Sequence, residues 1–159
     1  MMGVGSQLAK QLSAGRFTVT AEVAPPRGTD VTGVLEQARR LQGVTAINVT
    51  DNQGANMRLS ALALAAMLQA EGLETVLQMT CRDRNRMALQ SDLLGAAAFG
   101  IRNLLLLSGD HARFGDHPDA RSVFDLDSVQ LLDMVAELMQ EHVIGPLVVA
   151  GEGAEGVVD

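Results

Sequence analysis

A chain of 159 residues, 47% hydrophobic and 19% charged, is long enough to bury one core and too apolar to be disordered. A formal net charge of −7 argues against nucleic acid or an anionic membrane as partner, since both call for a broad basic surface. The single cysteine, Cys81, excludes an intrachain disulfide and a cysteine-based zinc site, which predicts a reducing, cytoplasmic setting.

Residues 1–16 read as a lead-in helix or tail, with no apolar stretch of signal-peptide type. A β-rich run, 17–24, follows and is broken by Pro25-Pro26-Arg27-Gly28. Next comes a helical pattern with Val31, Val34, Leu35, Ala38 and Leu41 on one face, Asp30 as cap and Gly43 as stop. The cycle repeats: strand 44–50, a loop at 51–54, and a helix over 57–71 with Leu59, Leu62, Ala63, Ala66, Met67 and Ala70 predicted inward. A third strand spans 74–80, and a third helix, 84–99, has Asp83 as its expected cap. Strand 101–107 is nearly all apolar, as a parallel strand buried on both faces requires. A polar loop, 108–121, reads as a mobile flap. A fourth helix, about 128–142, aligns Val129, Leu132, Ala136 and Met139, and 146–150 forms a fifth strand before a frayed tail, 151–159. With aromatics at 3%, the core falls to Leu, Val, Ala and Met, and Met57, Met67, Met79, Met87, Met134 and Met139 all sit at packing positions.

Strict βα alternation implies an α/β fold with parallel strands. An open doubly wound sheet and a (β/α)₈ barrel share that pattern. Glu22, Thr50, Thr80 and Asp110 lie at or just past four successive strand ends, which favours the rim of a barrel over a single switch point. A complete barrel needs about 250 residues. Four to five βα units therefore predict a partial (β/α)₈ TIM barrel: a fragment, a truncated product or a half-barrel that pairs with something.

Glu22 stands between apolar neighbours, so it is either a general acid with a raised pKa or the partner of Arg27 or Arg82 in a salt bridge. Ser108-Gly109-Asp110 reads as a close backbone approach to a bulky ligand or as an ordinary turn. Arg82, Arg84 and Arg86 at a helix start oppose its dipole, which invites an anion; the alternative is a solvated run paired with Asp83 and Asp92. Cys81 reads as buried filler, and His111 and His117, with Asp110, Asp116 and Asp119, are spaced too loosely for a metal site. No Gly-x-Gly-x-x-Gly or Walker sequence follows a strand.

Five stretches in register resemble the methylenetetrahydrofolate reductase family: Ala21-Glu22-Val23-Ala24-Pro25-Pro26-Arg27-Gly28, Asn48-Val49-Thr50-Asp51, Gln78-Met79-Thr80-Cys81, Leu107-Ser108-Gly109-Asp110, and the segment from Phe124 to Leu132. The resemblance implies half of a flavin-bearing reductase barrel over 17–150, with FAD, or FMN in its place, taking hydride from NADH or NADPH. The flavin then reduces 5,10-methylenetetrahydrofolate to 5-methyltetrahydrofolate. By the same resemblance Glu22 matches the general acid that helps open the imidazolidine ring, and Asp110 matches the aspartate near flavin and pterin. Thr50, Gln78, Ser108, Gly109, Asp110, Phe124 and Asp125 match flavin-lining positions. The chain departs from the best-known members at Gln78 (histidine there), at Val23 and Ala24 (aromatics there) and at Ser108 (often arginine). The implied partners are folate, a pyridine nucleotide or an electron-transfer subunit, and further copies in an oligomer. Two other readings are a non-catalytic partner subunit that uses the half-barrel as an interaction module, and a pterin-binding methyl-transfer barrel without flavin.

Overall fold

A computed structural model describes residues 5–41 and 43–151. Residues 1–4 and most of the tail read as frayed lie outside the described residues. Five strands, β1 (Thr20–Val23), β2 (Ala46–Val49), β3 (Thr75–Thr80), β4 (Asn103–Leu107) and β5 (Val148–Gly151), form one sheet in the order β1-β2-β3-β4-β5. Every pairing is parallel. Between them run α2 (Thr32–Arg40), α3 (Ala61–Ala70), α4 (Arg86–Ala98) and α5 (Ser128–Gln140), with α1 (Gln7–Ser13) in front.

The strand order decides between the two architectures. A doubly wound sheet reverses direction once, which puts helices on both faces. Here the order never reverses, and all four crossover helices share one face. Their residues Ala38, Leu64, Leu68, Leu89, Leu93 and Leu131 make a single core with Val23, Ile47, Val49, Leu77, Met79, Leu104, Leu106 and Val149 of the sheet. Alternation along a strand sends the intervening residues to the other face. That inner face has its own small apolar cluster, Leu8, Ala46, Val76 and partly buried Leu105, near the N-terminal ends of the strands. Helix α1 is held there by Glu74, whose carboxylate accepts from the backbone N–H of Gln7 (2.7 Å) and Leu8 (2.8 Å). The result is a partial (β/α) barrel, in which β1 and β5 each pair on one side only among the described residues. No helix among them is long and apolar enough to cross a membrane.

Local chemistry sets the helix ends, with some differences from expectation. Asp30 does accept from Thr32 N–H at 3.0 Å. Helix α4, however, is capped by Asn85, whose side chain accepts from Ala88 N–H; Asp83 is held by an arginine instead. Strand β1 begins at Thr20, three residues later than expected, and Phe17 is 93% exposed. Helix α5 has a capping box built from Asp127 and Gln130.

Two helices face the core only in part with the residues predicted: Leu59 and Leu62, and Leu132 and Met139, pack against it half-buried, but the deepest positions are others. In α3 the buried residues are Ala61, Leu64, Ala65 and Leu68, while Met67 is exposed and Ala63, Ala66 and Ala70 lie on the outer side. The sequence Ala-Leu-Ala-Leu-Ala-Ala-Met-Leu-Gln-Ala is apolar all round, so periodicity could not choose a face. In α5 Leu131, Met134 and Val135 are buried and Val129 is exposed, while Leu132 and Met139 of the expected face pack at the edge of the core. Met57, Met67 and Met87 are exposed rather than packed, whereas Met79 and Met134 are core.

The orientation of α3 is checked by paired truncations. Leu64→Ala is expected to cost about 2–5 kcal/mol of unfolding free energy through a buried cavity. Met67→Ala should change it by less than about 0.5 kcal/mol. Urea unfolding of both variants distinguishes this packing from its mirror choice.

Candidate active site

Because all five strands run parallel, their C-terminal ends share one edge, and the loops after them form one mouth. Glu22 pairs in register with Asn48, and Asn48 with Val76. Gln78, two residues beyond Val76, therefore points to the same inner face as Glu22. Across β2 the two side chains meet, Gln78 Nε2 donating to Glu22 Oε2 at 3.2 Å. Gln53, in the loop after β2, donates from Nε2 to Glu22 Oε1 at 3.4 Å. Asn48 Nδ2 donates beside them to Thr20 Oγ1 (3.1 Å) and the Ala21 carbonyl (3.2 Å). Glu22 is exposed and held by neutral amides, not by Arg27 or Arg82 as the salt-bridge alternative required.

Asp110 lies three residues past β4 on the same edge, and it too is exposed. Its backbone carbonyl accepts from Arg82 Nη1 at 3.1 Å, which leaves the carboxylate toward solvent. Gly109 before it has φ +86°, and a β-carbon there would lie 3.0 Å from Thr80 Cβ, so both conformation and space demand glycine. Ser108 Oγ contacts Ser128 Oγ and accepts from Ser128 N–H, both at 3.2 Å, and so ties β4 to the start of α5. Thr50 is buried, and its Oγ1 has no hydrogen-bond partner among the described residues. Such an orphan costs about 1–3 kcal/mol. Phe124 adopts φ +42° with its ring centroid 6.2 Å from that of His111. Asp125 accepts from Arg86 N–H at 2.7 Å, at the start of α4. The fold thus gathers Glu22 and Gln78 directly, and sets Thr50, Ser108, Gly109 and Asp110 around the same mouth. Phe124 and Asp125 stand at the starts of α4 and α5.

Sequence reasoning missed the residue that fastens this rim. Asp51, read as part of a loop, is 4% exposed and accepts from Thr80 N–H and Thr80 Oγ1, each at 2.9 Å. Arg84 donates to it from Nη1 at 2.7 Å and from Nη2 at 3.2 Å, and reaches Asp92 with Nε at 2.8 Å. Burial works against the Arg84 charge, but the hydrogen bonds and charge of Asp51, with those of Asp92, more than offset it and raise its pKa. Arg82 is not part of a solvated run either: it is 2% exposed and bonds Asp83 with Nε and Nη2, both at 2.8 Å. Burial pushes the Asp83 carboxyl up, yet hydrogen bonds from Arg82 and Asn52, with the charges of Arg82 and Arg84, hold it below the usual range. Asp83 and Asp92 are indeed partners of this run, as one of the two sequence readings had it, although Arg82 is buried and Arg84 half-buried; Arg86 is exposed. Cys81 is fully buried; burial, helped by the charge of Asp127, lifts its thiol to about 11, so it stays protonated and unreactive.

The segment expected to be a mobile flap is tied down. Val123 N–H donates to the Arg82 carbonyl (2.7 Å), Met57 N–H to Asp116 Oδ1 (2.9 Å), and Arg27 pairs with Asp116 at 3.3 Å. Gly115 packs so tightly on the loop after β2 that a β-carbon would sit 1.7 Å from the Ala55 carbonyl oxygen. His111 Nδ1 accepts from Arg113 N–H and His117 Nδ1 meets Asp116 at 2.9 Å, so both imidazoles are used locally.

A parallel βα sheet with helices on one face, and an amide-held acid at its C-terminal mouth, defines a segment of a (β/α) barrel of the kind that carries an active site on that rim. Comparison with known proteins gives the family. The model described as methylenetetrahydrofolate reductase matches residues 7–150. A protein of Caenorhabditis elegans named probable methylenetetrahydrofolate reductase (NADPH) is 29% identical over 130 residues, covering 76% of this chain and 19% of that protein. The 5,10-methylenetetrahydrofolate reductase of Pectobacterium carotovorum subsp. carotovorum is 30% identical over 128 residues, covering 77% of this chain and 42% of that protein. The chain belongs to the methylenetetrahydrofolate reductase family, and its match spans less than half the length of each of these two relatives.

Two measurements check the electrostatics. Asp51→Ala leaves Arg84 without its principal partner and is expected to cost about 3–5 kcal/mol in urea unfolding. Asp83→Asn should destabilise at neutral pH, where the depressed carboxyl contributes its full share. The difference from the parent should shrink as pH falls below 3.8 and the native Asp83 becomes protonated; a gap that persists to low pH would count against the ion pair with Arg82.

Proposed function

We propose that residues 17–150 form the first half of a flavin-dependent reductase barrel that converts 5,10-methylenetetrahydrofolate to 5-methyltetrahydrofolate. The reading includes a cytoplasmic setting and assembly into an oligomer. Its main support is the arrangement at the mouth: Glu22 on β1, held by the amides of Gln78 and Gln53, on the edge that also carries Asp110. Family membership gives it its chemical context.

The residues present suit a flavin. An isoalloxazine ring is a flat apolar body with polar edges. The inner face offers partly buried Leu105 beside the polar side chains of Asn48 and Gln78, and the unpartnered Thr50 hydroxyl is close by in sequence. Thr50, Gln78, Ser108, Gly109, Asp110, Phe124 and Asp125 would line FAD, or FMN in its place. Bound flavin supplies the acceptance of hydride from NADPH or NADH and its delivery to the folate. NADPH is the donor in the name of the nematode relative.

The chain's own part is proton placement. Protonated Glu22 gives its proton to a nitrogen of the folate imidazolidine ring. That nitrogen keeps the electron pair of the breaking C–N bond, and an iminium carbon is left on the other nitrogen, ready for hydride. Gln78 and Gln53 hold the carboxylate that results. Asp110 places a negative charge at the same mouth, where it stabilises the cationic iminium.

In the full-length enzyme, Glu22→Gln is expected to slow reoxidation of reduced flavin by the folate by about 10²–10⁴-fold. Reduction of the flavin by the nicotinamide should stay nearly unchanged. Equal loss in both half-reactions, or a purified enzyme without flavin absorbance, would overturn the reading.

A further inference from the structure

We propose that Gln53 is a positioning residue that orients the Glu22 carboxyl during proton transfer. This rests on the reading of Glu22 as the acid, and adds a residue that the strand pattern gave no reason to notice.

The observation is a loop bent at unusual cost to bring one side chain back over β1. Three of the four residues 52–55 have left-handed backbone: Asn52 (φ +43°), Gly54 (φ +63°) and Ala55 (φ +59°). Two of them are not glycine, and Ala55 has no polar side chain to ease the conformation. Such a conformation persists only when the surroundings impose it. Here they do so from several sides. Asn52 Oδ1 accepts from Arg58 N–H at 2.9 Å, its Nδ2 donates to Asp83 at 3.2 Å, and its carbonyl accepts from the buried Arg82 at 3.3 Å. Gly115 is wedged against Ala55.

Gln53 itself does little to hold the loop. Its carbonyl accepts from Asn56 N–H at 3.2 Å, within the turn, while its side-chain amide reaches Glu22. The carboxylate oxygens are thus divided between two glutamines, Oε1 to Gln53 and Oε2 to Gln78.

The chemistry of an amide explains why this residue type suits the task. A general acid alternates between carboxylic acid and carboxylate. A glutamine can donate from Nε2 to the carboxylate and, after a half-turn of its amide, accept at Oε1 from the protonated acid. A lysine or arginine in the same place could serve only the anion. Gln53 therefore keeps Glu22 in one position through both states; when its Nε2 donates to the carbonyl oxygen of the protonated acid, the O–H on the other oxygen is left to face the folate.

The test is Gln53→Met in the full-length enzyme, which keeps the length of the side chain and removes both amide functions. Single-turnover reoxidation of reduced flavin by methylenetetrahydrofolate should fall roughly ten- to a hundredfold, the size expected for loss of one hydrogen bond to a charged group. Folate affinity, flavin reduction by the nicotinamide and the thermal midpoint should not move. Gln53→Glu, which brings a second carboxylate to Glu22, should lose more than Gln53→Met. A parental rate in Gln53→Met alongside an inactive Glu22→Gln would overturn the role of Gln53 and leave the reading of Glu22 standing. A lowered midpoint with equal loss in both half-reactions would mark Gln53 as a merely structural residue. If Glu22→Gln reduces folate normally, the fault lies in the reading of the acid itself.

Discussion

The mouth of this half-barrel hangs on the buried carboxylate of Asp51. A lone carboxylate would be very costly to enclose. Asp51 is enclosed with four hydrogen bonds, two from Thr80 and two from Arg84, so its charge and its lone pairs are both matched. It joins the end of β2 to the end of β3, and through Arg84 and Asp92 it reaches α4. Thr80 in turn is the surface on which Gly109 packs after β4. One acid thereby fixes the relative heights of three successive strand ends, and the residues at the mouth take their positions from those ends.

Around that anchor, four acids contrast with Glu22. Asp51, Asp83, Asp92 and Asp116 each meet an arginine. An acid so paired cannot change its protonation without losing a strong contact, which suits a structural part. Among the described residues Glu22 meets only amides. Its contacts survive gain or loss of a proton with a turn of a side chain, which suits a group that handles protons. The loop after β2, beside Glu22, holds two non-glycine residues left-handed, at about 1–3 kcal/mol each; Phe124 is a third, in the segment before α5.

Much of this was legible in the sequence. The alternation of strand and helix gave five parallel strands, and the placement of Glu22 and Asp110 at strand ends pointed to a common rim, because strand direction alone decides which edge a residue occupies. The readings that failed had a physical cause in each case. Helix α3 is apolar on all sides, so no moment marked its inner face, and Met67 was assigned to the wrong one. Asp51 read as part of a loop because local sequence carries no signal of a partner some thirty residues away, whereas it buries its charge against Arg84; Arg82 pairs with its neighbour Asp83, and what the sequence could not show is that the fold encloses its guanidinium. Gln53 could be found only from loop conformation. The one cue in reach was an Asn-Gln-Gly turn, and that says where a chain bends but not where its side chain ends. Gln78 stood out through the resemblance; its inward parity shared with Asn48, two amides in apolar strands, was a further signal present in the sequence.

The seating of Gly115 on Ala55 bears on how relatives can be recombined. With no room for even a methyl group between them, the loops after β2 and after β4 form a single mechanical piece, although some sixty residues of chain separate them. Grafting either loop alone from a relative that carries a side chain at the contact would force the other out of place, and the disturbance would arrive at Gln53. The natural module for exchange at this mouth is the pair, moved together.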